Sequence, residues 1–286
     1  MTTLVLEEWI KELDSLLAAG DRSSAERFML ESLTQLEEQG REQSGMYLTV
    51  LNELASFYRG ISRFEESEQI FRRLQLAMEE GGQTGSLPYA TVHINLAGCY
   101  RLMGKVERAF EHYDLAKTAL TEAGLDPAIS DAGRDRLRYL MASTLNNTSL
   151  LYCDLGQFET ALEYAEQAAG LIDDGVGDEH ELATSLNNIA SIHMKLERFD
   201  EADTANRRAL EIFTGMPRRN VHHAAALSTF AALRFKEGDY EGAEAAYEQA
   251  LSLTEYFFGR NVDYEAALRD LAHVRATRDG GQHRHP

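Results

Sequence analysis

Cysteine is almost missing from this chain of 286 residues: only Cys99 and Cys153 occur, each inside an apolar helical pattern. Two isolated thiols make no disulfide framework, so they read as small core residues in a reduced, cytoplasmic compartment. Cations are also short, 28 against 47 acidic residues, for a formal charge of −19. Such an excess repels phosphate backbones and anionic lipid, which argues against nucleic acid and membrane as partners and favours solubility and cationic partners. No apolar stretch is long enough to span a bilayer, and Met1 to Asp14 carries acids where a secretory leader needs a basic segment. Neither export nor insertion is expected.

Signals of catalysis are missing too. The chain has no His-Glu-x-x-His, no Cys-x-x-Cys, no phosphate loop with its lysine and no Gly-x-Ser-x-Gly. Gly81-Gly82-Gln83-Thr84-Gly85-Ser86 is glycine-rich but lacks a lysine and a preceding buried strand, so it reads as a flexible loop. Asp173, Asp174, Asp178 and Glu179 share a loop without calcium-loop spacing, and His222-His223 and His283-x-His285 lack convergent ligands. The expectation is a protein that is not an enzyme and uses neither cofactor nor metal.

What the chain does have is a beat. A turn position recurs at Gly20, Ser62, Gly104, Gly156, Glu197 and Gly238, in steps of 42, 42, 52, 41 and 41 residues. Five residues past each stands Ala25, Ser67, Ala109, Ala161, Ala202 or Ala243. A fixed period of this size means stacked repeats, each burying its apolar face against its neighbours. Apolar spacing of three and four residues on both sides of the turn makes each copy two helices. In the fifth copy Leu182, Leu186, Ile189, Ile192 and Leu196 form one stripe, and Ala202, Ala205, Ala209, Leu210 and Phe213 the other. Helices approach closely where Ala55, Ala97, Ser149, Ala190 and Ala231 meet the small residues of the second helices, with Phe64, Phe158, Phe199 and Tyr240 as wedges beside the turn. Tyr58, Tyr100 and Tyr152, followed in phase by His193 and Arg234, read as interface residues.

The expected fold is all-α: an α-solenoid of about six helix hairpins with a C-terminal capping helix, as one superhelical domain over residues 1–277. Repeats fall near 4–40, 46–80, 88–123, 137–174, 180–214 and 221–258, with a cap at 262–277 and a disordered tail at 278–286. The first hairpin reads as incomplete, and Tyr264, Ala267, Leu268, Leu271 and Val274 form the stripe of the cap. The 52-residue step inserts about ten residues near 123–136, read as a longer loop or an added short helix around Asp126-Pro127.

Leu186-Asn187-Asn188-Ile189-Ala190, then Arg198-Phe199-Asp200-Glu201-Ala202 and Arg208-Ala209-Leu210-Glu211-Ile212, resemble a tetratricopeptide repeat. Gly238-Asp239-Tyr240 with Ala243, Tyr247, Ala250 and Leu251 resembles another. The period and the Asn pair are similar to the longer variant of kinesin light chains and many bacterial tetratricopeptide proteins, as is Gly177-Asp178-Glu179-His180 before Leu182. The copies depart from that pattern at Ser62, Ser67, Val106 and Glu197, and no coiled-coil segment precedes them, so motor association is not carried over.

The resemblance implies that the first helices line a concave groove and that the site nine residues before the turn bears an Asn for a peptide backbone. That site reads Glu53, Asn95, Asn147, Asn188 and Thr229. An amide both donates and accepts, so three successive Asn can satisfy an extended peptide or, alternatively, bridge neighbouring helices. The preceding site reads Asn52, Ile94, Asn146, Asn187 and Ser228, and four residues before the ladder stand Thr49, Thr91, Ser143, Thr184 and Ala225. The absence of Lys and Arg from those last sites argues against a carboxylate clamp. Arg59, Arg101, Lys195, Lys236 and nearby Arg234 form either a docking spot for an acidic or phosphorylated segment or solvated helix-end cations. The expected function is a non-catalytic protein- or peptide-binding scaffold, with a peptide-responsive sensor and a homo-oligomeric assembly protein as alternatives.

Overall fold

The computed structural model describes residues 5–172, 179–216 and 221–282. Asp173, Asp174 and Asp178 of the acidic loop, and His283 and His285, lie outside the described residues. Thirteen helices and no strand occur among those described. The chain divides into two compact units, Met1–Pro127 and Ala128–Pro286, where the sequence reads as one continuous domain. The first unit holds α1 (Leu6–Ala18), α2 (Arg22–Glu38), α3 (Gly45–Gly60), α4 (Phe64–Glu80), α5 (Leu87–Leu102) and α6 (Val106–Gly124). The second holds α7 (Asp131–Asp154), α8 (Phe158–Ile172), α9 (Glu179–Lys195), α10 (Phe199–Gly215), α11 (Val221–Lys236), α12 (Tyr240–Phe258) and α13 (Val262–Gln282).

Each hairpin closes at the turn position of the repeat. Gly20, Gly104, Gly156 and Gly238 there have φ between 70° and 82°, and Ser62 and Glu197 are forced into the same left-handed region at 64° and 59°. A residue with a Cβ is strained in that region by about 1–2 kcal/mol. Glycine loses about 0.5–1 kcal/mol more chain entropy on folding, so Ser62→Gly and Glu197→Gly should each stabilise by up to about 1 kcal/mol. Urea midpoints should rise with unchanged slope, whereas lower midpoints would contradict the strain argument.

The small sites carry the packing. Ala25, Ala109, Ala161, Ala202 and Ala243 are fully buried, as are Ala55, Ala97, Ala190 and Ala231 opposite them. Ser67 fits the same slot by donating its hydroxyl to the carbonyl of Ala55 at 2.8 Å. Serine side chains start several first helices: Ser44, Ser86 and Ser130 accept from the amides of Tyr47, Tyr89 and Gly133. Of the turn wedges, Phe64, Phe158 and Tyr240 are half-buried, but Phe199 is 38% exposed, with the Lys236 ammonium 5.8 Å above its ring.

Four expectations are corrected. The first hairpin is complete, since α1 docks on α2 through stacked Trp9 and Phe28 and a 2.9 Å bond from the indole to Ser32; only its first helix is short, α1 having 13 residues against 16 in α3. The ten-residue insertion forms neither a long loop nor a separate helix. Only residues 125–130 link α6 to α7, and α7 grows to 24 residues. Its added turns are capped by Ser130, with Arg134–Asp131 and Arg138–Asp135 pairs along them. Most of the side chains there face solvent, so the added turns carry little apolar periodicity to read. At the other end α13 continues to Gln282, so residues 278–282 are helical rather than tail. Finally, Leu268 of the cap stripe is 40% exposed, while Tyr264, Ala267, Leu271 and Val274 are buried.

A second periodic device locks neighbouring hairpins. The acid immediately after the small site accepts from the next hairpin: Glu26 from Tyr58 at 2.8 Å and Arg63 at 2.6 Å, and Glu68 from Tyr100 at 3.1 Å and Lys105 at 2.8 Å. In the second unit Asp203 accepts from Arg234 at 2.7 Å, and Glu244 from Arg275 at 2.7 Å and from Arg278. Burial, reinforced by the Glu26 carboxylate, pushes the Tyr58 phenol up to about 12. Arg234 is thereby spent on Asp203 and Glu237 and is not a free docking cation.

Candidate inner-face sites

Within the second unit α7 packs on α9 and α9 on α11, whereas α8, α10 and α12 do not pack on one another in this way. In the first unit α3 touches α5 in the same manner. The first helices therefore form the tighter wall of each unit, and this wall carries the polar positions. The Asn series divides between the units, Asn95 in one and Asn147 and Asn188 in the other.

In the first unit the amides bridge helices. Asn95 of α5 donates to the Asn52 side-chain oxygen of α3 at 3.4 Å, and Asn52 donates to the Glu53 carboxylate at 3.2 Å. Burial raises the Glu53 carboxyl, the Asn52 bond opposes that, and Asp14 adds to the rise. Arg59 is half-buried, and desolvation lowers its pKa. Its guanidinium reaches the Asn95 carbonyl at 3.5 Å and lies 3.1 Å from where a Cβ on Gly98 would stand. Gly98 thus makes room for Arg59 between α3 and α5. Arg101 is half-buried and repels Arg59 electrostatically.

In the second unit the two Asn rows part. Asn146 is 3% exposed and donates to Glu181 at 2.8 Å and Ser185 at 2.7 Å, tying α7 to α9. Asn187 accepts from Asn206 at 3.4 Å, and Asn206 also donates to the Ala226 carbonyl at 3.0 Å, which joins α9, α10 and α11. Asn146 and Asn187 are therefore bonded inside the stack, although the buried Asn146 Oδ1 and Asn206 Oδ1 have no donor among the described residues. Asn147 donates to the Ser143 carbonyl of its own helix at 2.8 Å. Asn188 differs: it is 7% exposed, and its buried side-chain NH2 has no acceptor among the described residues.

Three hydroxyls of that row are satisfied locally, Thr49 donating to Gly45 O at 2.9 Å, Thr91 to Leu87 O at 3.0 Å and Thr184 to His180 O at 2.9 Å, while Ser143 is half-buried. Lys195 and Lys236 remain exposed at the ends of α9 and α11. Among the described residues no three of His, Cys, Asp or Glu converge as metal ligands, and no helix is long and apolar enough to cross a membrane. The sequence pattern did not point to Asn206 or to the acid locks. The acids were visible, since an acid follows Ala25, Ser67, Ala202 and Ala243 in phase; Asn206 breaks the pattern of its helix and had no such signal.

No curated protein sequence matches the chain. Among solved structures it is similar to NprR in complex with its cognate peptide NprX, at 15% identity and TM-score 0.62, covering 94% of this chain and 74% of NprR. It is also similar to a Rap protein complexed with competence and sporulation factor, at 15% identity and TM-score 0.55, covering 93% and 80%. The kinesin light chain TPR-like repeats of Podosopora anserina match at 15% identity and TM-score 0.52, covering 74% and 97%. Tetratricopeptide repeat profiles match residues 46–122 and 140–215, more than half of the chain, and residues 224–256. With its turns, small sites and paired helices in that register, the chain belongs to the tetratricopeptide repeat family.

Proposed function

We propose that the chain is a non-catalytic, cytoplasmic scaffold that binds an extended peptide segment, with the principal contact on the α7–α9–α11 wall of the second unit. One observation carries this reading: the buried NH2 of Asn188 lacks an acceptor among the described residues. A buried donor left unpaired costs about 1–3 kcal/mol, and a ligand carbonyl would remove that cost once the Asn188 side chain turns to the surface of the wall. Asn147 can exchange its intrahelical bond for a ligand, while Lys195 and Lys236 are the exposed cations for an acidic group beside it. Asn95, Asn52 and Arg59 are better fitted to hold α3 and α5 together.

Peptides selected from a random display library on the wild-type protein should lose about tenfold in affinity on Asn188→Ala, with helicity unchanged by circular dichroism. Equal affinity would remove Asn188 from the site. The fold-level likeness to NprR with its cognate peptide favours a second reading, a peptide-responsive sensor. A selected peptide would then change the small-angle scattering curve, whereas a plain scaffold would bind it with the curve unchanged.

A further inference from the structure

The third hairpin contains a contact that the peptide-binding reading does not use. His93 of α5 and His112 of α6 bring their Nδ1 atoms to 2.7 Å, with the ring centroids 4.9 Å apart and the ring planes within 24° of each other. Tyr89 meets the His93 ring edge-on at 4.4 Å, and Tyr100 lies 5.2 Å from His112. His93 is fully buried, and its Nε2 has no partner among the described residues; His112 is half-buried.

At 2.7 Å one Nδ1 must carry a proton and the other must not. Burial assigns which. A buried N–H without an acceptor costs more than a buried bare ring nitrogen, so His93 keeps its Nε2 bare and donates from Nδ1. His112 then accepts at Nδ1 and carries its proton on Nε2. In that arrangement the site for an added proton on the accessible ring is His112 Nδ1, the atom that accepts from His93. Protonation there sets two N–H groups against each other. The alternative, moving the shared proton so that His93 carries N–H on Nε2, buries that donor unpaired. Either route disrupts the seat of α5 on α6.

We propose that the His93–His112 contact is a proton-operated joint: it holds the α5–α6 hairpin closed when neutral and opens it when one added proton reaches the pair. The facing groups fix the balance. From α4, Arg72 disfavours the proton on His112, while Glu68 favours it there and Glu79 favours it on His93; from α6 itself, Arg108 opposes and Glu111 favours it. From α5, the rings of Tyr89 and Tyr100 enclose the pair. Burial outweighs the acids and holds both imidazoles below their ordinary range, His93 down to about 4.

Hydrogen exchange of the full chain, corrected for the intrinsic pH dependence, tests the joint. Between pH 7.5 and 5, protection of α5 and α6 should fall at least tenfold relative to α11 and α12. In His112→Gln, whose amide oxygen can accept from His93 but takes up no proton, that relative fall should shrink to the part that His93 alone contributes. Ring-nitrogen NMR of the wild-type protein gives a readout independent of any variant: His93 should show the Nδ1–H tautomer at neutral pH, and His112 should titrate below 6.5. Unchanged relative protection in the wild type, an equal fall in His112→Gln, or rings titrating with ordinary imidazole values would each overturn the proposal.

Discussion

Ala161→Leu should destabilise the second unit by about 3 kcal/mol, the upper part of the range for overpacking a core site. Ala161 has no exposed surface and sits in a cluster with Leu162, Ala165 and Ile192, closed by Tyr152, Cys153, Phe158, Ile189 and Leu196. Three added carbon atoms must displace these neighbours. The α7–α8 hairpin and its neighbour α9 must separate, and in a repeat stack that movement also loosens the adjoining interface. For a unit of this size the loss corresponds to a fall in Tm of roughly 6–12 °C. Ala245→Leu, on the exposed side of α12, is the control and should change stability by less than about 0.5 kcal/mol. Thermal unfolding followed by circular dichroism checks both. Equal small effects at the two positions would mean that the recurring alanines are a compositional habit rather than contact points.

Acid should weaken the first unit before the carboxylates are neutralised. Burial lowers His93 to about 4, while the unfolded chain takes up the same proton near 6.5. Above pH 6.5 neither state is protonated, and His93 leaves stability independent of pH. As pH falls from 6.5 towards 4 the unfolded state binds the proton and the folded state does not, so stability declines by up to about 3 kcal/mol and then levels off. His112, also lowered by burial, adds to the slope in the same direction. Arg-paired Glu66, Lys-paired Glu68 and Arg-paired Glu244 have lowered carboxyl pKa values, so their support is lost only as pH falls below the ordinary carboxylate range. Urea unfolding at half-unit steps from pH 7.5 to 4.5 should therefore show a loss beginning near 6.5. His93→Gln should flatten that part of the curve. A wild-type curve level down to pH 5 would contradict the buried, unprotonated pair.

How far the sequence could be read followed from how each residue acts. Turn position and small site were legible because each works through one backbone angle or one van der Waals contact that recurs in every copy. Even the departures kept their place: Ser62 and Glu197 adopt the left-handed angle of the glycines they replace, and Ser67 fills an alanine slot by bonding its own hydroxyl to Ala55. The α7 extension was hidden because exposed helical turns held by Ser130 and i,i+3 ion pairs have no apolar period. The Asn rows were legible as positions and not as partners. Asn146, Asn147, Asn187 and Asn188 alternate along equivalent helices, yet one bridges to Glu181, one turns back on its own helix, one meets Asn206 and one keeps a donor unpaired. Those choices depend on what the neighbouring hairpin presents, and spacing within one helix does not encode it. The His93–His112 contact was invisible for the same reason, since its members are 19 residues apart on two helices and stand at positions that the other copies give to apolar or aromatic residues.

Peptide binding by the inner wall turns on Asn188. Isothermal titration of a library-selected peptide into the wild-type protein and Asn188→Ala measures its share of binding, and Asn146→Ala serves as a comparison for an amide buried within the stack. The proposed role predicts about a tenfold loss of affinity for Asn188→Ala at undiminished thermal stability, and for Asn146→Ala a lower Tm with little change in affinity once folded. Equal peptide affinity in the wild-type protein and Asn188→Ala would contradict the assignment of the inner wall of the second unit as the binding site.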